Sequence, residues 1–338
     1  MDTGKLPAEM LKQLLSKTRT DPSVLVGPAY GEDAAAVEFG HSVLVASSDP
    51  ITFATDRVGY YAVCVNANDI AVMGAVPKYF LATILLPEGS VEADAELVFS
   101  EIEDACEEIG VILIGGHTEI TSALDKIIVS GCMLGEADEG SLVRSSGARV
   151  GDVIILVGGI AIEGTSILAR EAADDLVKKG VSTETIEWAK SYLDDPGISI
   201  LDYARTAMRV GGVTAMHDPT EGGLATALRE LAAASKCGLR IDRDSILVWD
   251  ECGIICKALE IDPMGLIASG SLLITVEPDN INLLINAIRS EDIPASVIGV
   301  ITETNEGILF DDGGDLPVFE RDEIAKYFNQ CRLESWRK

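Results

Sequence analysis

The sequence predicts a two-domain chain of mixed helices and strands. Three observations carry that expectation. The chain has 338 residues, enough for two domains at roughly 100–200 residues each. Short apolar runs of strand length alternate with longer amphipathic stretches through both halves. The alternation breaks around Ser145–Gly151, where Ser-Ser-Gly and Arg-Val-Gly-Asp interrupt it, which gives domains of 1–147 and 148–338. No internal repeat, low-complexity tract or long linker is visible.

Taken in order, residues 5–18 read as a short amphipathic helix, and 27–33 as a glycine-punctuated irregular stretch. Ser42–Ala46 is a strand that delivers Ser48-Asp49-Pro50 at its end. The segment from Val58 to Val72 is apolar on most faces and reads as a buried helix, stopped by Gly74 and Pro77. Its stripe of Val58, Ala62, Val65, Asp69 and Val72 faces a core, so Asp69 is a carboxylate that needs a pair, hydrogen bonds or a cation. Tyr79–Leu86 is a strand, and Val91–Gly110 a helix with an acidic outer face. Val111–Ile114 reads as a short buried strand running into a loop, Gly115-Gly116-His117-Thr118-Glu119, before a strand at Ile127–Leu134.

The second half opens with a strand at Val153–Val157, followed by helices over 162–178, 183–193 and 197–210. Met216–Gly223 is a loop backed by a helix over Leu224–Ser235. Leu272–Val276, Ala295–Val300 and Gly307–Phe310 read as strands; Ile281–Ile288 and Glu320–Asn329 read as helices.

Composition narrows the function. A net charge of −29 with no basic cluster repels polyanions, so nucleic acid is excluded as a partner, and a nucleotide would need Mg2+ to accompany it. No apolar run approaches the ~20 residues of a membrane span, and no secretory signal precedes the first helix, so a cytoplasmic protein is expected. Seven scattered cysteines then read as reduced core thiols. Cys252 and Cys256 lie one helical turn apart, but no histidine neighbours them in sequence to complete a zinc site.

Several segments pair glycine with acid: Gly31-Glu32-Asp33, Ser48-Asp49, Asn68-Asp69, Gly116–Glu119 and Asp218–Gly223. Hard cations take oxygen ligands, and glycine lets backbone N–H groups approach a phosphate. Carboxylates converging on one cleft would suit a metal–nucleotide complex. A Walker-type phosphate loop, a nucleophile elbow and a Rossmann fingerprint are all missing. His117 and His217 each adjoin an acidic loop, where each could be a general base or a structural histidine.

The order of these motifs is informative. Gly-Glu-Asp-Ala-Ala (31–35), Ser-Asp-Pro (48–50), Asn-Asp-Ile-Ala-Val-Met-Gly-Ala-Val-Pro (68–77), Gly-Gly-His-Thr (115–118) and Asp-Pro-Thr-Glu-Gly-Gly (218–223) together resemble the aminoimidazole ribonucleotide (AIR) synthase, or PurM-like, superfamily. The branch they are most similar to is that of the hydrogenase maturation factor HypE and archaeal AIR synthase-related proteins. The resemblance implies an α+β, two-domain PurM-like fold. In it, N-terminal domains pair into a homodimer with a barrel-like sheet, beside a C-terminal α/β sandwich domain. It implies ATP and Mg2+ as cofactors, with Asp33, Asp49 and Asp69 on metal positions. Gly31, Asn68, Gly115, Gly116, Thr118, Thr220, Gly222 and Gly223 join Asp33, Asp49, Asp69 and His117 in binding nucleotide. Asp69, His117, Asp218 and Glu221 fall on catalytic positions.

The chemistry implied is phosphoryl transfer from ATP to a substrate oxygen, making that oxygen a leaving group. The substrate would be a small molecule or borne by a protein. A small-molecule phosphotransferase similar to AIR synthase or thiamine-monophosphate kinase, and a dimeric nucleotide-binding scaffold, are the alternatives. HypE carries its substrate on a terminal cysteine, whereas here seven residues follow Cys331, so carbamoyl dehydration in hydrogenase maturation is not expected. Glu32 stands where the family has its first Asp of Gly-Asp-Asp, and His117 and Glu119 depart from the Asp-Thr form common in HypE.

Overall fold

The computed structural model describes residues 4–19 and 21–335, so the end of the tail after Cys331 lies outside the described residues. The chain forms two compact units. One holds 21–27 and 33–142; the other holds 4–19, 28–32 and 143–335.

The first helix, α1 (Ala8–Leu15), groups with the second of these units. The first unit is a sheet with two helices. Its elements are β1 (Val24–Val26), β2 (Ala35–Phe39), β3 (Ser42–Ser47), β4 (Pro50–Ile51), α2 (Val58–Val72), β5 (Val76–Pro87), α3 (Glu92–Ile109), β6 (Ile112–Thr121) and β7 (Ile128–Ala137). The strand order is β1-β2-β3-β7-β5-β6, with β4 also on β7, and the sheet is open in a single copy. All pairs are antiparallel except β5–β6, which α3 connects as a parallel crossover. Strict alternation of buried and half-buried residues on β3 and β7 gives the sheet one core face. The helix α2 lies on that face and is buried nearly all round, Asp69 included at 4% exposure.

The expectation for 111–119 is corrected here. The strand does not stop at Ile114 to release a glycine loop; it continues to Thr121 along β5, past a bulge opposite Phe80 and Leu81. Nor is it buried. As the outer strand of the sheet, β6 leaves Ile112 61%, Ile114 51% and Ile120 60% exposed.

The second unit continues with β8 (Val153–Val157), α4 (Ile162–Glu171), α5 (Ala173–Lys178), α6 (Thr183–Ser191), α7 (Leu201–Val210), β9 (Val213–His217), α8 (Gly223–Ser235), β10 (Gly238–Ile241), α9 (Asp250–Leu259), β11 (Leu272–Val276), α10 (Ile281–Arg289), β12 (Ala295–Thr302), β13 (Ile308–Phe310) and α11 (Glu323–Ser335). Its sheet runs β13-β10-β12-β8-β11-β9. Every residue of β8 and β11 is buried, as their unbroken apolar runs require. Ile154 and Leu156 of β8 pack with Leu224, Leu228 and Leu231 of α8 and with Phe310. The helix expected over 162–178 is two helices that part at Ala172. The strands β1, β2, β9 and β10 and the helix α9 were not legible as separate elements. Among the described residues, no helix is long and apolar enough to cross a membrane.

Candidate functional site

In the first unit the site begins where β3 ends. Ser47, its last residue, donates its hydroxyl to Asp69 Oδ2 on α2, and both residues are buried. Two residues on, Asp49 is held through its backbone by a different side chain. Asn66 Oδ1 accepts from Asp49 N at 2.9 Å, and Asn66 Nδ2 donates to Asp49 O at 3.2 Å and to Ala62 O at 2.8 Å. Ser48 Oγ and the Asp49 carbonyl also bond the backbone of Gly131 on β7. Gly131 allows this approach: a Cβ there would lie 2.4 Å from Asn66 Nδ2 and 2.7 Å from Phe80. The result is an Asp49 whose backbone is fixed and whose residue is half-buried, two residues after the Ser47 that bonds the buried Asp69.

Asp33 joins the same end of the sheet. It precedes β2 by two residues, and because Ala35 pairs with Ala46, it lies at the end of the β2–β3 pair where Ser48 and Asp49 emerge. Gly31 and Glu32 belong to the second unit, where Glu32 Oε2 accepts from Ser145 N at 3.2 Å. The longer arm of Glu32 therefore braces backbone.

The segment 115–118 is placed elsewhere. Register runs from His117 to Thr83 on β5, to Ser130 on β7, to Pro50 on β4. Three strand spacings of about 4.8 Å separate His117 from Pro50 by roughly 14 Å in one copy of the chain. Gly116 sits at φ 150°, and a Cβ on it would lie 1.9 Å from Ala82 O, so glycine serves the strand pairing here. The His117 ring is exposed and its Nε2 lies 3.0 Å from Glu119 Oε2.

The second unit carries the other acidic loop. The strand β9 ends in His217, and Asp218 follows, 1% exposed. His217 Nε2 lies 3.2 Å from Glu230 Oε2 of α8, both buried. Lys5 N donates to Glu221 Oε1 at 2.9 Å, and Lys5 Nζ lies 3.5 Å from Thr220 Oγ1. Gly222 N donates to Asp322 Oδ2 at 2.6 Å, while Asp322 Oδ1 accepts from Ile324 N and caps α11. Gly223 opens α8.

Two buried carboxyls around this loop were missed by the sequence reading. Burial pushes Asp322 up to about 7, against the opposing hydrogen bonds from Gly222 and Ile324. Burial likewise pushes Glu163, near the start of α4, up to about 7, with Ser269 acting the other way and Glu221 adding to the rise. Glu163 Oε2 has no hydrogen-bond partner. A faint signal existed for each. Glu163 is the lone charge in the apolar run from Val157 to Leu168, and Asp322 stands at a helix start.

With this geometry in hand, comparison with known proteins is decisive about family. Residues 31–137 match the N-terminal domain of AIR synthase related proteins, and residues 149–312 match their C-terminal domain. The chain belongs to the AIR synthase related family. Within the family, it is 30% identical over 318 residues to a protein named for hydrogenase expression/formation in Methanocaldococcus jannaschii, covering 91% of each chain. It is 29% identical over 287 residues to the carbamoyl dehydratase HypE of Rhizobium leguminosarum bv. viciae, covering 81% of this chain and 78% of that one. Among solved structures, the hydrogenase maturation protein HypE in complex with ATP superposes with a TM-score of 0.69 at 23% identity, covering 93% of this chain and 91% of that one. That likeness shows the fold: two α+β PurM-like domains, as the motif order implied.

Proposed function

We propose that this member of the family is an ATP- and Mg2+-dependent enzyme of the HypE-like branch that activates a substrate oxygen by phosphoryl transfer. The observation that carries the reading is the buried Asp69, gripped by Ser47 at the end of β3 from which Asp49 emerges, with Asp33 at the same end of the β2–β3 pair. Their chemistry supports the reading, since carboxylate oxygens are what a hard cation bridging to phosphates takes. A cation also offsets the cost of burying the Asp69 charge. Asp33, Asp49 and Asp69 would hold Mg2+, and bound ATP would supply the phosphoryl group whose transfer makes the substrate oxygen a leaving group. The chain's own residues do the positioning. Asn66 fixes the Asp49 backbone, and Ser47 orients the Asp69 carboxylate. Asn68, with Gly31, Thr220, Gly222 and Gly223, is read as a nucleotide contact, and Asp218 and Glu221 as the groups that handle protons at the substrate; Gly115, Gly116, His117 and Thr118, three strands from Asp49 in one copy, are read as nucleotide contacts supplied by a second copy.

A homodimer belongs to this reading. A ten-residue outer strand with isoleucines more than half exposed presents unpaired backbone and apolar surface that a second copy would cover. The seven cysteines are all free thiols, which suits a reducing compartment such as the cytoplasm. The HypE structure solved in complex with ATP supports ATP use. The substrate is read as a small molecule or a group borne on a protein.

Calorimetry tests the reading directly. ATP should bind in millimolar Mg2+, and Asp69→Asn should weaken it ~10-fold or more, the scale of one charged contact. Absence of ATP binding by the wild-type protein sinks the proposal. Binding without ATP turnover against amides, carboxylates and phosphorylated metabolites would leave a nucleotide-binding scaffold instead.

A further inference from the structure

The helix α9 carries Cys252 and Cys256 one turn apart. Their sulfurs lie 3.9 Å from each other, and the two residues are 0% and 2% exposed. Among the described residues, no histidine, carboxylate or third thiol stands close enough to both sulfurs to complete a metal site. The pair is left with the chemistry of a dithiol. Gly253 lies between the two cysteines in the same turn. Glycine weakens a helix interior relative to alanine, and neither a positive φ nor a close neighbour calls for it here: a Cβ would meet no atom within 4 Å. The turn that joins the thiols is thereby made easier to open.

A disulfide needs Cβ atoms roughly 3.5–4.5 Å apart, whereas positions four apart on an intact helix hold them at roughly 5–6 Å. Bridging therefore requires this turn to unwind. The burial of both sulfurs requires the same opening before an oxidant can reach them. We propose that Cys252 and Cys256 form a reversible intrahelical disulfide by exchange with a low-molecular-weight disulfide, with Gly253 as the point where α9 gives way. In the opened turn one cysteine thiolate attacks the small disulfide, and one small thiolate leaves. The other cysteine thiolate then attacks the chain's sulfur in the mixed disulfide, and the second small thiolate leaves. The two cysteine protons pass to the departing thiolates, so the chain loses two hydrogens and the small disulfide is reduced to two thiols. The bridge keeps the turn unwound and so loosens α9, which packs on α4 and α6. The site goes beyond the phosphoryl-transfer reading and lies wholly within the second unit.

The test exposes the reduced full chain to oxidised glutathione, alkylates it in denaturant and weighs the tryptic peptide 244–257, which carries both cysteines. That peptide should lose two hydrogens, and dithiothreitol should restore both thiols. In the oxidised protein, amide hydrogen exchange across residues 253–257 should rise ~10-fold or more. Gly253→Ala, whose added methyl meets no neighbour, should leave the reduced protein folded. It should slow bridging ~5-fold, the change in helix opening when alanine replaces glycine. A peptide that keeps both thiols while the exposed Cys331 takes up glutathione overturns the proposal, as does a lasting glutathione adduct on Cys252 or Cys256 without the bridge. A bridged protein whose amide exchange matches the reduced form, or a Gly253→Ala variant that bridges at the wild-type rate, overturns the unwinding at Gly253 on which it rests. The ATP titration is made on the reduced protein, so failure of one reading leaves the other standing.

Discussion

Asp69 and Glu163 are both carboxylic acids with 4% exposure, and the two domains treat them in opposite ways. Asp69 receives the hydroxyl of Ser47, two residues before the Asp49 backbone that Asn66 holds. Polar groups there are braced by specific donors from three elements: β3, α2 and β7. Glu163 has one oxygen with no partner, and burial drives its carboxyl up to about 7. One domain orients its acid with a hydrogen bond; the other shifts the titration of its acid up toward neutral pH. A carboxylate meant for a cation belongs in the first setting, because donors orient it without removing its charge. The second setting makes stability depend on pH.

That contrast gives the largest predicted effect. A carboxyl raised from 4.5 to about 7 in the fold stabilises the native state fully below pH 4.5 and loses that stabilisation as pH rises through 7. The unfolded state releases its proton first, so the native state binds more protons between these values and stability falls with pH. Glu163→Gln, which is neutral throughout, should remove ~2–3 kcal/mol of that fall, read from urea unfolding at pH 5 and pH 8. Asp322, raised in the same direction, keeps a residual slope in the variant. A slope identical to wild type would erase the distinction between the two domains.

The braced domain should respond differently. Asn66→Ala removes three hydrogen bonds and leaves the Asp49 N–H and the Ala62 carbonyl without that partner. A loss of ~2–3 kcal/mol is expected from such a buried network. The loss should be the same at pH 5 and pH 8, since no titrating group is removed. A pH-dependent loss would mean that Asn66 acts by setting the charge of Asp49 or Asp69, and the comparison would have to be redrawn.

The same contrast marks what could be read before the structure. The α2 helix and the strands β8 and β11 were legible because each is buried on all sides and its apolar run says so. The outer strand β6 was not, because Gly115-Gly116 breaks the pattern and because an edge strand's isoleucines point to no core. The strands β1, β2, β9 and β10 have three to five residues each, and long-range pairing rather than local propensity makes them strands. At the site, acids next to glycines were visible as a pattern. The brace was not: Asn66 lies 17 residues from Asp49, and only the packing of α2 against the sheet turns its amide toward that backbone. Glu163 was hidden for another reason, since nothing in sequence says that one of its oxygens will have no donor.

The smallest predicted effect sharpens where the site ends. His117 is exposed on an outer strand, and its contact with Glu119 is between two exposed groups. His117→Ala should therefore change stability by less than ~0.5 kcal/mol. Yet His117 lies roughly 14 Å across the sheet from Pro50, next to Asp49, too far for one imidazole to span. If His117→Ala also weakens ATP several-fold, the histidine acts either on its own copy's site or on that of a second copy paired along β6. Mixing His117→Ala with Asp69→Asn protein separates the cases. When a site combines Asp69 of one copy with His117 of the other, a mixed dimer holds one intact site and one doubly damaged one. Part of the wild-type affinity then returns. When both residues serve the same site within one copy, every site in the mixture carries a single lesion, and the calorimetric titration shows no high-affinity fraction.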